Sequence, residues 1–184
     1  MTGACARRRR SADSTPAAER PDKNYQYDGL AAKEVTSWEV GLQAANVFTA
    51  SGSEELASVG MWTTRENATV SIQVYTGLTD AADPTSGKLA ASFEVSELYA
   101  GYHTFDLPEP VGLSTGESFS VVVSEHSSTT AATPGFAVPV EAATVVGWNE
   151  DGTPRYDASP VVEEGQSFIC QYGHWYDVAS TRDA

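Results

Sequence analysis

The side chains able to do chemistry are few in this chain, and their spacing serves no familiar reaction. Cys170 and His174 are the thiol and imidazole that a cysteine nucleophile and its base would supply. They lie four residues apart and strand-bound, without the flanking residues of a known catalytic thiol. The same Cys-x-x-x-His is half a zinc site with no matching half. Ser120, His103 and Asp106 offer the residue types of a hydrolase triad, but no strand–turn–helix elbow presents the serine. Asp80 with Asp83, and the acidic run 149–151, lack the spaced ladder and distal glutamate of a calcium loop. No catalytic residue, metal or cofactor is expected.

Binding is the chemistry that remains. A saccharide presents a C–H face that stacks on Trp or Tyr, while amides and carboxylates hold its hydroxyls. The aromatics in or beside loops are Tyr99, Tyr102 and Trp148, the last followed by Asn149 and Asp151. These five residues form the expected ligand-binding set. Trp38, Trp62 and Trp175 are assigned to packing, because large aromatics dominate sandwich cores. His103 alternates with Phe105 and Leu107 and is expected to be a buried, hydrogen-bonded structural histidine. Asn67-Ala68-Thr69 has the form of a glycosylation acceptor and reads as a turn.

The elements that must position these groups are strands. Residues 100–123 show it best: His103, Phe105 and Leu107 share one side of an extended chain, and Phe119, Val121 and Val123 one side of the next. Pro108 and Pro110 are expected to stop the first strand, since neither donates to a ladder. Ser118, Ser120 and Val122 form the second strand's other face. Val70, Ile72 and Val74 alternate cleanly with Ser71 and Gln73, and residues 59–64 carry apolar groups on both faces. Tyr25 and Tyr27 share a face ahead of an Asp-Gly turn at 28–29. Residues 77–87 form a loop by composition, as do 125–134, and Pro139 places the strand at 136–140 on an edge. About nine short strands with no βαβ rhythm indicate an all-β fold, an antiparallel β-sandwich of jelly-roll type.

Charge and length set the surroundings. The 184 residues suffice for one domain with tails. Five arginines against Asp13 and Glu19 give the first 20 residues a surplus of three positive charges. The rest of the chain holds six basic and 23 acidic groups, a net −17. So acidic a body repels nucleic acid and anionic lipid. No apolar run approaches the ~20 residues of a membrane span. Residues 1–10 have no apolar segment after them and are not a signal peptide as written. Cys5 lies in a tail with no predicted structure, so a bridge to Cys170 cannot be argued. The composition divides the chain into a disordered basic, Ala-rich arm (residues 1–23), a β-sandwich domain (24–178) and a short tail (179–184).

A set of fragments in order along the body carries a resemblance. NYQYDG (24–29), ANVFTA (45–50), ELASVGMWT (55–63), SIQVYTGLTD (71–80), PTSGKL (84–89), AGYHTFDL (100–107), LSTGESFSVVV (113–123) and GQSF (165–168) resemble the lectin-like domain found after bacterial papain-like cysteine peptidases. The resemblance implies a β-sandwich on an extracellular or cell-surface bacterial protein. It implies a papain-like peptidase domain as partner, normally lying before residue 24; the glycan or cell-wall polymer expected as ligand rests on the loop aromatics, since the family name records a lectin-like fold and not sugar binding. The resemblance supplies no set of binding residues. The expected role is a non-catalytic binding module; a structural spacer, or a fragment of a larger cysteine peptidase, are the alternatives.

Overall fold

The cleanest alternation in the sequence folds as expected. In β6 (Ala68–Thr76) Val70, Ile72 and Val74 are fully buried, while Thr69, Ser71 and Gln73 between them are half-exposed. The computed structural model describes residues 2–8, 23–27, 32–37, 41–127, 135–141, 145–156 and 163–180. Its other strands are β1 (Thr2–Arg8), β2 (Lys23–Tyr25), β3 (Ala32–Ser37), β4 (Gln43–Thr49), β5 (Glu54–Thr63), β7 (Lys88–Glu97), β8 (Gly101–Leu113) and β9 (Ser118–Ser127). They are followed by β10 (Phe136–Glu141), β11 (Val145–Trp148), β12 (Pro154–Tyr156), β13 (Ser167–Gln171) and β14 (His174–Asp177). Among the described residues there is no helix.

Two antiparallel sheets pack face to face. The smaller runs β2-β1-β5-β8. The larger runs β7-β6-β9-β4-β13-β14, and a branch of β10 and β3 continues from the C-terminal part of β9. The hairpin of β11 and β12 forms a two-stranded sheet of its own. Between the main sheets, Val59, Met61 and Phe105 meet Phe48, Val70, Ile72, Phe119 and Val121. Tyr25 stands edge-on to Phe119, with ring centres 5.2 Å apart, and Tyr27 stacks on Phe48 at 4.9 Å. The shared face expected of the two tyrosines is thus the core face, and their hydroxyls bond Glu54 and the Val47 carbonyl.

Four expectations change. Thr2–Arg8 belongs to no disordered arm: it is an interior strand, paired with β2 on one side and with β5 on the other. Its core-facing residues are Ala4 and Ala6, both fully buried, and alanine is too small to register as an apolar period. Residues 9–22 lie outside the described residues. Second, Pro108 and Pro110 do not end β8. The ladder to β5 breaks between Asp106 and Val111, and the prolines sit in that bulge, where no donor is required. Third, β9 runs on to Ser127, because Glu125 and Ser127 are buried polar residues that hydropathy reads as loop. Fourth, β10 lies between β9 and β3; its pairing with β9 has ended at Ala137, two residues before Pro139. Trp38, Val40 and the Asp-Gly turn at 28–29 lie outside the described residues.

Candidate functional site

The groups nominated for catalysis are scattered. Ser120 is fully buried on the outward side of the large sheet and donates its hydroxyl to the Pro84 carbonyl. Asp106 faces outward from the small sheet, opposite Ser58. His103 stacks on Phe105, with Nε2 3.0 Å from the Tyr99 carbonyl oxygen and Nδ1 3.3 Å from Glu97 Oε2. It ties the β7–β8 connection to the sheet, hydrogen-bonded as expected but only partly buried. Cys170 pairs with Trp175 across the β13–β14 hairpin and Gln171 with His174. Directly opposed residues share a face, so Cys170 and His174 point to opposite sides of the sheet. Burial pushes the Cys170 thiol above its ordinary range; the Gly173 N–H pulls it down, and the negative charge of Asp83 adds to the rise. Among the described residues no three His, Cys, Asp or Glu side chains gather as a metal site would require.

The five residues nominated for binding occupy two separate elements. Trp148 ends β11 and is 67% exposed. Asn149 and Asp151 close the turn that follows. Thr153 donates its hydroxyl to Asp151 Oδ1 at 2.6 Å and its N–H to the same oxygen at 2.9 Å, and Asn149 Nδ2 donates to Thr153 Oγ1 at 2.8 Å. Those bonds hold the Asp151 carboxyl below its ordinary range. Both polar side chains are engaged with their own turn. Tyr99, 71% exposed, lies in the β7–β8 connection. Tyr102 faces outward on the small sheet beside Trp62, rings 5.9 Å apart and tilted by 69°. Its ring crosses Gly60, where a Cβ would sit 2.1 Å from the Tyr102 hydroxyl.

A concave site lies elsewhere, on the outward face of the large sheet. On the β13–β14 hairpin Phe168 pairs with Asp177 and Cys170 with Trp175, so all four side chains share that face. Phe168 packs on Ala45 and Val122 there, with Val47, Tyr75 and Trp175 around them. Residues 77–87 fold over the same face. Pro84 is buried and receives the Ser120 bond, while Asp80 and Asp83 accept backbone N–H groups two residues ahead at 2.9 and 2.8 Å. Further bonds within the loop run from the Thr79 and Asp80 N–H groups to Ser86 Oγ. Between it and the hairpin runs an open cleft of about 350 Å³, lined by Ala81, Ala82, Glu164, Gly165, Phe168, Trp175 and Asp177. Gly165 has φ +80°, and its N–H donates to Asp177 Oδ2 at 2.7 Å; the Ala179 N–H donates to Oδ1 at 2.9 Å. The sequence reading placed Trp175 in packing. It does pack, against the Phe168 cluster, and also lines the cleft. The signal available in the sequence was the Trp-x-Asp alternation of 175 and 177.

The fold is a two-sheet antiparallel β-sandwich with a cleft outside its core, lined in part by Phe168 and Trp175. The family described as the lectin-like domain matches residues 24–184, and the chain belongs to that family. That family is a lectin-like domain and not a catalytic one. Among solved structures the chain is similar to the clostridial cysteine protease Cwp84 after propeptide cleavage, at 23% identity and a TM-score of 0.61, over 86% of this chain and 36% of that one. It is also similar to the cysteine protease and lectin-like domains of Cwp84, a surface layer associated protein of Clostridium difficile. There the identity is 22%, the TM-score 0.53, and the coverage 81% of this chain and 32% of that one. Such identities show a shared fold, and the chain spans about a third of those proteins. A comparison with curated proteins gives no match. Among the described residues no helix is long and apolar enough to cross a membrane.

Proposed function

We propose that this chain is the non-catalytic binding module of a secreted or surface-attached bacterial protein, and that the Trp175 cleft takes a saccharide of a glycan or cell-wall polymer. The observation that carries this is the convergence of an indole, two carboxylates and a hydrogen-bonded loop on one concavity. A sugar ring stacks on Trp175, and its hydroxyls donate to Asp177 and Glu164. The volume lies within the ~300–1,000 Å³ of small-ligand sites. Likeness to Cwp84, which combines cysteine protease and lectin-like domains and is surface-layer associated, supports a further reading: the module holds an associated cysteine peptidase near its substrate surface.

Binding of the purified chain to insoluble cell-wall polysaccharide and to a glycan array tests the proposal. Wild type binds, Trp175→Phe retains partial affinity, and Trp175→Ala loses about 2 kcal/mol or more of binding, as for a truncated hot-spot aromatic. Wild type binding no saccharide sinks it. The spacer reading then draws on Trp62 and Tyr102, which stand 38% and 48% exposed on the small sheet and would be covered by a packed partner domain.

A further inference from the structure

We infer that the cleft selects saccharides bearing a free, protonated amine (N-deacetylated hexosamines) over N-acetylated and over anionic ones. This rests on the reading of the cleft as a saccharide site. Among the described residues its lining holds Glu164 and Asp177 and no Lys, Arg or His. No cation pairs with either carboxylate among the described residues. Each Asp177 oxygen accepts one backbone N–H, which fixes the carboxylate and leaves a lone pair on each oxygen for a ligand donor. Glu164 is exposed and has no hydrogen-bond partner among the described residues. The negative charge extends to both walls. Glu163, beside Glu164, adds to the burial that raises the Tyr27 hydroxyl, and Asp83, on the opposite loop, adds to the burial that raises Cys170.

Three chemical classes meet this surface differently. A uronate or phosphate polymer brings negative charge to uncompensated carboxylates and is repelled. An N-acetyl group brings a carbonyl that needs a donor, yet among the described lining side chains only the Trp175 indole carries an N–H. An ammonium on the sugar ring donates to carboxylates and sits favourably against an indole. The open mouth and the small walls of Ala81 and Ala82 leave space for the ring that carries it.

Titration of the full chain with di- and trisaccharides of glucosamine, of N-acetylglucosamine and of galacturonate, by calorimetry at low salt, tests this. The glucosamine oligomers bind several-fold more tightly than the N-acetylated ones, and galacturonate does not bind. Glu164→Gln, a change at an exposed position, reduces the preference by roughly two- to fivefold, as for one solvent-exposed charge. Glu164→Lys removes it, and about 1 M salt, where the Debye length is ~3 Å, weakens it. Equal binding of acetylated and deacetylated oligomers overturns the selectivity and leaves the cleft as a saccharide site. Glucosamine binding untouched by Glu164→Lys and by Trp175→Phe overturns it too, since the attraction is then diffuse and directed to the acidic surface at large. A lysine-containing peptide that competes as well as the oligomers also overturns it, because the cleft then reads an ammonium without the sugar. If no saccharide binds under any condition, both this inference and the saccharide reading fall.

Discussion

Glu125 on β9 holds the backbone of Thr64 at the end of β5. Its Oε2 accepts the Thr64 N–H at 2.9 Å and the Thr64 hydroxyl at 3.2 Å, and its Oε1 accepts the Arg65 N–H at 2.8 Å. β5 belongs to the small sheet and β9 to the large one, so this carboxylate ties the two sheets together. It is fully buried, and two donors whose strand has ended are satisfied by one side chain.

That arrangement predicts a pH dependence. Desolvation raises the Glu125 carboxyl above its ordinary 4.5, and the N–H and hydroxyl donors and the nearby Arg65 offset only part of the rise. A carboxyl raised in the folded state binds its proton more tightly there than in the unfolded chain. Stability from this group is therefore greatest at acid pH and falls as pH rises from 4.5 through the higher folded value. Glu125→Gln removes the slope and sets an amide N–H against one of the backbone donors, at a cost of about 1–3 kcal/mol. Urea melts at stepped pH should show the gap between wild type and Glu125→Gln widest near the acid end and narrowing upward. A constant gap would mean the carboxyl is not raised.

Ser120 carries the next prediction. The outward face of β9 is not bare: Ser120 and Val122 are both buried beneath the 77–87 loop and the β13–β14 hairpin. Ser120→Ala leaves the Pro84 carbonyl without its donor and should cost about 1–2 kcal/mol, where an exposed serine would cost almost nothing. Hydrogen exchange should speed at the Thr79 and Asp80 amides, which bond Ser86 Oγ, and stay unchanged in β6. An unaltered melt would mean the loop is held by other contacts.

Much of this fold is legible in the sequence wherever strands bury branched side chains on one face, as Val70, Ile72 and Val74 do. Legibility ends where burial is achieved by small or polar residues. Ala4 and Ala6 carry no apolar signal, and Glu125 reads as loop until its donors at Thr64 and Arg65 are known. The prolines of β8 are correctly non-donors, but a bulge accommodates what a regular ladder would reject. The lectin-like family is legible from ordered fragments. The cleft is not, because it exists only when residues 77–87 lie over β9 and face Trp175 across the sheet. That juxtaposition joins stretches far apart in the chain, and an aromatic that packs on a cluster and also lines a cleft has the same sequence signature as one wholly in the core.

The interior position of β1 gives a third prediction. Removing residues 1–8 leaves β5 facing β2 across an empty lane and exposes Val59 and Met61, both fully buried in the intact chain. The truncated protein should melt about 10 °C lower or more, equivalent to the loss of roughly 3 kcal/mol. Its open strand edges should also make it self-associate, visible as early elution in size-exclusion chromatography. A truncated chain that melts with the full one would remove β1 from the stable fold.

The last prediction separates two tryptophans by what their loss does to folding and to binding. Trp148 stands at the tip of a two-stranded hairpin, and its polar neighbours are occupied with their own turn. Trp148→Ala should therefore shift stability by no more than about 0.5 kcal/mol, as other exposed changes do. Trp175 packs against the Phe168 cluster and also lines the cleft, so Trp175→Ala combines a packing loss of about 2 kcal/mol, less than for a full core aromatic, with loss of the stacking surface. Trp175→Phe restores part of the packing and keeps a smaller ring. Thermal melts and saccharide titrations on all three variants give four possible patterns. Binding lost in both Trp175 variants, graded by ring size, and retained in Trp148→Ala assigns recognition to the cleft. Binding lost in Trp148→Ala with an unchanged melt would move it to the β11–β12 hairpin, and binding lost in neither would leave Tyr99 and Tyr102 as the remaining exposed platforms. Binding lost in both tryptophans would require a ligand long enough to touch both places.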